Sequence, residues 1–234
     1  MTTQNQQAPS RLFQMCSCTT EPATGFVEVL NEPRHFHRFQ NDYVRVYDVR
    51  FGPGETSLYH RHNIDTMYVT VNDAEVYDHT FQSDETTAKT HHLTAGLSMC
   101  RPHGSDPLIH KVRNDGDGLM HMIGAEVLKL PDLVSEKPLS APCHTQLDNL
   151  SGAERLRFYR IALQPGETTG EITYGFSGLT VSISDASVAV AEPGGSSRVL
   201  SFSPGSHVWH DGPVTQMLTN VGETEFVAIL GEWC

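Results

Sequence analysis

Along this chain apolar and polar residues alternate over short runs, broken by turn signals at intervals of roughly eight to twelve residues. "YVRVYDVRF" (43–51) has a period of two, which puts one set of side chains on each face of a strand. "TMYVTV" (66–71) and "EVYDHTF" (75–81) repeat the pattern, and "GPGE" (52–55) and "NDAE" (72–75) supply turns. The second half does the same in "RFYRIAL", "LTVSIS", "SVAVAE", "RVLSF" and "EFVAIL". No long stretch settles into a helical period; "QLDNLSGAERLRF" (146–158) has room for one or two turns of helix. Many short strands at this spacing predict an all-β chain built as a sandwich or barrel.

The chain also resembles itself. A shift of 112 residues lays Arg45, Tyr47 and Val49 on Arg157, Tyr159 and Ile161, and "PGET" (53–56) on "PGET" (165–168). The same shift lays "VTVNDAEV" (69–76) on "VSISDASV" (181–188). Further on a shift of 106 takes over, with Asn114 and Gly116 meeting Asn220 and Gly222. Chance turn chemistry could repeat one block, but hardly three in nearly constant register. The expected organisation is an arm over 1–25, one domain over 26–136 and a second over 137–234. "SEKPLSAPCHTQ" (135–146) is the expected linker.

Composition narrows the partners. The 234 residues carry a formal net charge of −12, which repels phosphates and anionic lipid, so neither nucleic acid nor a membrane surface is expected. No apolar run approaches the roughly 20 residues a membrane-spanning helix needs. The N-terminal stretch lacks the pattern of a secretory signal. Five cysteines form no recognisable disulfide framework, and Cys16-x-Cys18 reads as incidental thiols on a solvated tail. A soluble cytoplasmic protein is expected, with a homodimer allowed.

Candidate chemistry begins at "PGETSLYHRHNID" (53–65). His60 and His62 at i and i+2 share one face of a strand, and two imidazoles there can chelate a borderline metal ion. In "GLSMCRPHGSDPLIHKVRN" (96–114), Gly96 is followed after five residues by Pro102-x-Gly104, then His110, then Asn114. The first segment resembles the first motif of the cupin superfamily, in which H-x-H follows a P-G turn. The second resembles the glycine, P-x-G, histidine, asparagine pattern of the second cupin motif, with a longer gap before His110. The likeness covers residues 43–127 as a metal-binding cupin and 157–233 as a degenerate one. It implies two cupin-type, jelly-roll-like barrels in one chain.

The first cupin motif normally ends in a glutamate ligand. Anchored on the following turn, that place falls to Met67; anchored on "YV", it falls nearer Asp65. The favoured reading is three ligands, His60, His62 and His110, because a thioether is a poor ligand for hard cations. Asp65 remains a candidate fourth. Three imidazoles leave coordination positions open, as a catalytic site requires. Three-histidine cupins include thiol and diketone-cleaving dioxygenases that use Fe(II). The resemblance therefore implies an Fe(II) dioxygenase acting on a small polar organic substrate. Spacing alone leaves Zn, Mn or Ni open, and with them a redox-neutral isomerase, cyclase or lyase, or a binding protein without turnover.

In the second copy, Ile172, Tyr174 and Gln216 stand where His60, His62 and His110 do, so it reads as structural. His207 and His210 there read as polar loop residues. Of the other side chains, Tyr68 could offer a hydroxyl and Arg101 could fork to a substrate carboxylate. His121 could point into the barrel as a base or substrate contact. Tyr47 and Tyr59 are weaker hydroxyl candidates. His103 reads as a turn residue, and His35-x-His37 and His91-His92 as exposed loop or edge positions.

Overall fold

The computed structural model describes residues 24–132, 135–148 and 156–233. The expected arm, both of its cysteines and residues 149–155 of the expected helical stretch lie outside them, apart from the arm's last two positions. Among the described residues the regular structure is β-strand, with 3-10 turns at Val29–Asn31 and Glu85–Thr87. No helix among them is long and apolar enough to cross a membrane.

The first half runs β1 (Val27–Glu28), β2 (His35–Gln40), β3 (Val44–Phe51), β4 (His60–His62), β5 (Thr66–Thr70), β6 (Ala74–Thr80), β7 (Lys89–Leu93), β8 (Ser98–Arg101), β9 (Leu108–Asn114) and β10 (Met120–Val127). The second runs β11 (His144–Leu147), β12 (Leu156–Leu163), β13 (Thr168–Tyr174), β14 (Gly178–Ser182), β15 (Ala186–Ala191), β16 (Ser197–Phe202), β17 (His207–His210), β18 (Val214–Asn220) and β19 (Phe226–Trp233). The first half forms two sheets, ordered β1-β4-β9-β6-β7 and β2-β3-β10-β5-β8. The second forms β13-β18-β15-β16 and β11-β12-β19-β14-β17, the same two orders without a partner for β1. The internal repeat is therefore a repeat of topology, down to register: β4 pairs His60 with His110, and β13 pairs Ile172 with Gln216. The stretch expected as linker is not all linker, since His144–Leu147 pairs with β12.

The shared "PGET" has a shared job. Gly54 and Gly166 take φ of +73° and +79°, which glycine adopts without steric cost. Glu55 accepts from the amide of Gly52 at 2.6 Å, and Glu167 from that of Gln164 at 2.8 Å, each closing its turn. Asn114 and Asn220 are both fully buried. Asn114 donates to the carbonyls of Phe51 and Gly118 and accepts from the amide of Gly116. Asn220 does the same with Leu163, Thr224 and Gly222. Each asparagine satisfies three buried backbone groups that would otherwise be costly to desolvate.

Strand alternation sorts the apolar residues into three cores. Tyr159, Ile161, Ile172, Tyr174, Phe176 and Leu230 fill the inside of the second half. Val29, Tyr47, Val49, Phe51, Val76 and Val112 line the inside of the first. The third core lies between the halves, where Met67, Val69, Ile123 and Ala125 meet Phe158, Leu179, Ile229 and Trp233. Because β5 and β10 serve both the inner and the outer core, a shift of one residue along them exchanges a site residue for an interface residue.

Candidate metal centre

Four histidines converge inside the first half. His60 and His62 come from β4, His110 faces His60 across the β4–β9 ladder, and His35 comes from the first residue of β2. The His60 ring centroid lies 4.6 Å from that of His35, 4.9 Å from His62 and 4.7 Å from His110. One ring nitrogen from each of His35, His60 and His62 lies within 4.8 Å of the other two. His35, His60 and His62 are buried.

Each ring is held from behind through Nδ1. His35 donates to Glu32 Oε2 at 2.8 Å, His60 to the Leu58 carbonyl at 2.9 Å, and His110 to Asp78 Oδ1 at 3.0 Å. His62 Nδ1 lies 3.1 Å from the Tyr68 hydroxyl, which lies 3.2 Å from His103 Nε2. With Nδ1 carrying the proton on all four rings, Tyr68 accepts from His62 and donates to His103. The four Nε2 lone pairs are then free for a ligand, as outer hydrogen bonds set the tautomer of metal-binding histidines.

For His60 and His62 electrostatics favours the neutral ring. Burial, with His110 and His35 alongside, holds His60 well below the usual imidazole value; burial, with His110 and His60, does so for His62. Burial also lowers His103, to about 4. Burial by itself would raise Asp78, but the hydrogen bond from His110 together with the charges of His110, His91 and Arg101 pulls the carboxyl below its ordinary value. A neutral imidazole is the ligand form.

These shifts make the ion-free protein acid-sensitive. His103 and His210 each fall to about 4, His210 also chiefly through burial. The unfolded chain takes up these protons near pH 6.5, the folded chain only near 4. Between those values the unfolded state binds more protons, so stability is lost as pH falls through that window. Thermal unfolding of metal-stripped protein should give a lower Tm at about pH 5 than at about pH 7.5. A Tm that rises on acidification would contradict the buried, neutral placement.

The imidazoles open onto a cavity of about 260 Å³. Its walls are mostly apolar, with Val49, Val76, Leu93, Leu108 and Val112 beside Met99, Met120 and Met122. The polar groups are six histidines (His35, His60, His62, His91, His103 and His110) with Tyr68, Asp78 and Arg101. Such a site suits a small molecule with a polar head and an apolar body.

No protein-family model matches the sequence, and no curated protein matches it. Solved structures do. Salicylate 1,2-dioxygenase from Pseudoaminobacter salicylatoxidans, as a glycine-to-alanine variant in complex with gentisate, matches with a TM-score of 0.58 at 15% identity, over 85% of this chain and 73% of that one. A further structure of salicylate 1,2-dioxygenase gives 0.55 at 15%, over 82% and 71%. Bacillus subtilis oxalate decarboxylase, studied for its Mn(II) centres, gives 0.56 at 12%, over 82% and 69%. The chain has the two-barrel cupin fold.

Within this two-barrel fold the expected site residues divide. The rings of His60, His62 and His110 are neighbours, but His110 lies outside the group of ring nitrogens that His35, His60 and His62 form; Tyr68 and Arg101 line the same cavity. Arg101 is exposed, at the end of β8, so it serves the mouth rather than the floor.

His121 does not reach the cavity. On β10 the even positions Met120 and Met122 face inward, so His121 faces the second barrel. There its Nε2 lies 2.9 Å from Asp48 Oδ1, and a Cβ on Gly205 would stand 2.4 Å from its ring. Burial tends to raise Asp48, but the His121 ring beside it and the hydrogen bond from Arg50 hold it well below the usual carboxylate range. His121 is an interface residue.

Neither candidate for the glutamate place faces the imidazoles. Met67 alternates outward into the core between the barrels. Asp65 Oδ1 accepts from the amide of Gly104 at 2.7 Å, tying the first motif to the P-x-G turn of the second. The inward neighbour on β5 is Tyr68. His103 is likewise more than a turn residue: it is buried and stacks on His62, with ring centroids 5.0 Å apart.

His35 is the residue the motifs did not reveal. It is 7% exposed, whereas His37 is exposed as expected. A signal existed in the repeat: His35 pairs with Val49 on β3, and His144 pairs with Ile161 on β12. The two histidines are equivalent, at a shift of 109, three residues short of the 112 that relates Val49 to Ile161. In the second cupin barrel His144 Nε2 bonds the Tyr174 hydroxyl at 3.0 Å, with Tyr174 standing at the place of His62. No open imidazole nitrogen is left at that position.

Proposed function

We propose that this bicupin is a mononuclear metalloenzyme whose first barrel holds one divalent ion on His60, His62 and His110. In this reading it is an Fe(II) dioxygenase for a small organic substrate. The observation that carries the reading is the convergence of imidazoles on an apolar-walled cavity, each anchored through Nδ1 with Nε2 unengaged. The donor set fits such an ion: neutral nitrogen ligands suit first-row metals, and Asp78 and Glu32 supply negative charge one hydrogen bond behind. When bound, the ion supplies open positions for a chelating substrate and, as Fe(II), the electrons that make dioxygen reactive.

The protein groups supply the rest. Arg101 presents a guanidinium fork to an anionic substrate group at the mouth. The apolar walls exclude water and orient the substrate's body. Burial pushes the Tyr68 phenol well up, so the hydroxyl keeps its proton and holds His62 and His103 in fixed orientation. The second cupin barrel, filled by its own apolar core, braces β5 and β10 from behind.

The test is metal analysis of the purified protein, followed by dioxygen uptake with candidate substrates after Fe(II) loading. One ion per chain and stoichiometric uptake are expected. Turnover without oxygen uptake would replace the dioxygenase by redox-neutral Lewis-acid chemistry. Protein that takes up no divalent ion would remove the metal centre itself.

A further inference from the structure

We infer that His35 is a fourth protein ligand of the metal ion, delivered by a strand that belongs to neither histidine motif. The inference rests on the metal reading above and extends it. Spatially, a ring nitrogen of His35 shares a 4.8 Å cluster with those of His60 and His62; His110 stands outside it, against the rings of His60 and His62. Its ring lies 4.6 Å from that of His60, as close as any other pair in the group. The side chain is buried against this cavity and, among the described residues, makes its one hydrogen bond through Nδ1.

The support behind it is built. Glu32 is 2% exposed, an expensive place for a carboxylate without partners. Its Oε2 accepts from His35 Nδ1 and from the amide of Arg34 at 2.7 Å, and its Oε1 accepts from the amide of Leu58 at 3.2 Å. Leu58 is the residue whose carbonyl orients His60. One carboxylate thus fixes His35 and, through the backbone, the residue that fixes His60. A carboxylate–histidine pair aimed at shared space is the arrangement that orients metal ligands.

The second barrel provides the contrast. Its equivalent, His144, hangs from the Pro142 carbonyl through Nδ1 and satisfies Nε2 on the Tyr174 phenol. In the first barrel His62 takes the phenol's place and brings a second lone pair instead of a proton. Two facing lone pairs repel unless a cation lies between them. That cation also explains why a strand near the start of the barrel carries a buried histidine on a buried glutamate.

The full-length protein loaded with Cu(II) can report the ligand count by pulsed electron paramagnetic resonance, through the remote imidazole nitrogens. Four imidazoles are expected in the wild type and three in His35→Gln. Zn(II) competition titration should show His35→Gln binding about 100-fold more weakly and Glu32→Gln about 10-fold more weakly. A wild-type count of three overturns the assignment without any variant. So does a His35→Gln protein that keeps wild-type Zn(II) affinity while His60→Ala and His110→Ala lose theirs; the metal centre itself then stands. If none of the three variants changes Zn(II) affinity, the metal reading falls as well.

Discussion

Replacing His60 by alanine should empty the metal centre. His60 is the hub of the cluster, with centroids of His35, His110 and His62 at 4.6, 4.7 and 4.9 Å. Losing a group that only orients a ligand costs about 10- to 100-fold in affinity, and losing the ligand itself should exceed that. Zn(II) affinity should drop by at least about 100-fold and metal-dependent turnover should fall to background. The fold should persist, because the barrel core and the Asn114 anchor do not use this ring. Metal content, oxygen uptake and the circular dichroism spectrum of the same preparation separate these effects. A folded His60→Ala protein with full metal content would refute the site.

Restoring a glutamate at position 67 should break the protein rather than complete the metal site. Met67 is fully buried between the barrels, among Ile229, Trp233 and their neighbours. A Cβ on Gly231 would stand 2.6 Å from its sulfur, so the packing there has no slack. Met67→Glu puts an unpaired carboxylate into that core, at a cost of about 4 kcal/mol. For a chain of this size that lowers Tm by roughly 8 to 16 °C. Zn(II) affinity of the folded protein should not rise, because the side chain points away from the imidazoles. Unchanged Tm with tighter Zn(II) binding would mean that β5 is placed one residue out of register.

These two positions show how much could be read in advance. His60, His62 and His110 were legible because each sits in a local pattern whose spacing survives without tertiary information. The two barrels were legible because the turn glycines and the paired asparagines recur in register, and their hydrogen bonds prove equivalent. The place of the motif glutamate was not legible. It depended on the register of a five-residue strand with neighbours on both faces, where a one-residue shift moves a side chain between the cavity and the inter-barrel core. His121 failed for the same reason. His103 and His35 failed for another: His103 lies in the loop after β8 and His35 at the start of the edge strand β2, and neither belongs to a local spacing that points to the site.

The sequence by itself determined the strand pattern, the duplication, the three motif histidines and the loss of their counterparts in the second copy. These follow from local periodicity and turn chemistry, which one chain of letters carries in full. Only the tertiary structure decided which face of β5 and β10 looks at the cavity. Only it brought His35, its Glu32 support and the stacked His103 to the three motif histidines. Strand pairing over long separations selects those neighbours, and the energy that selects them is spread over a core shared by both barrels.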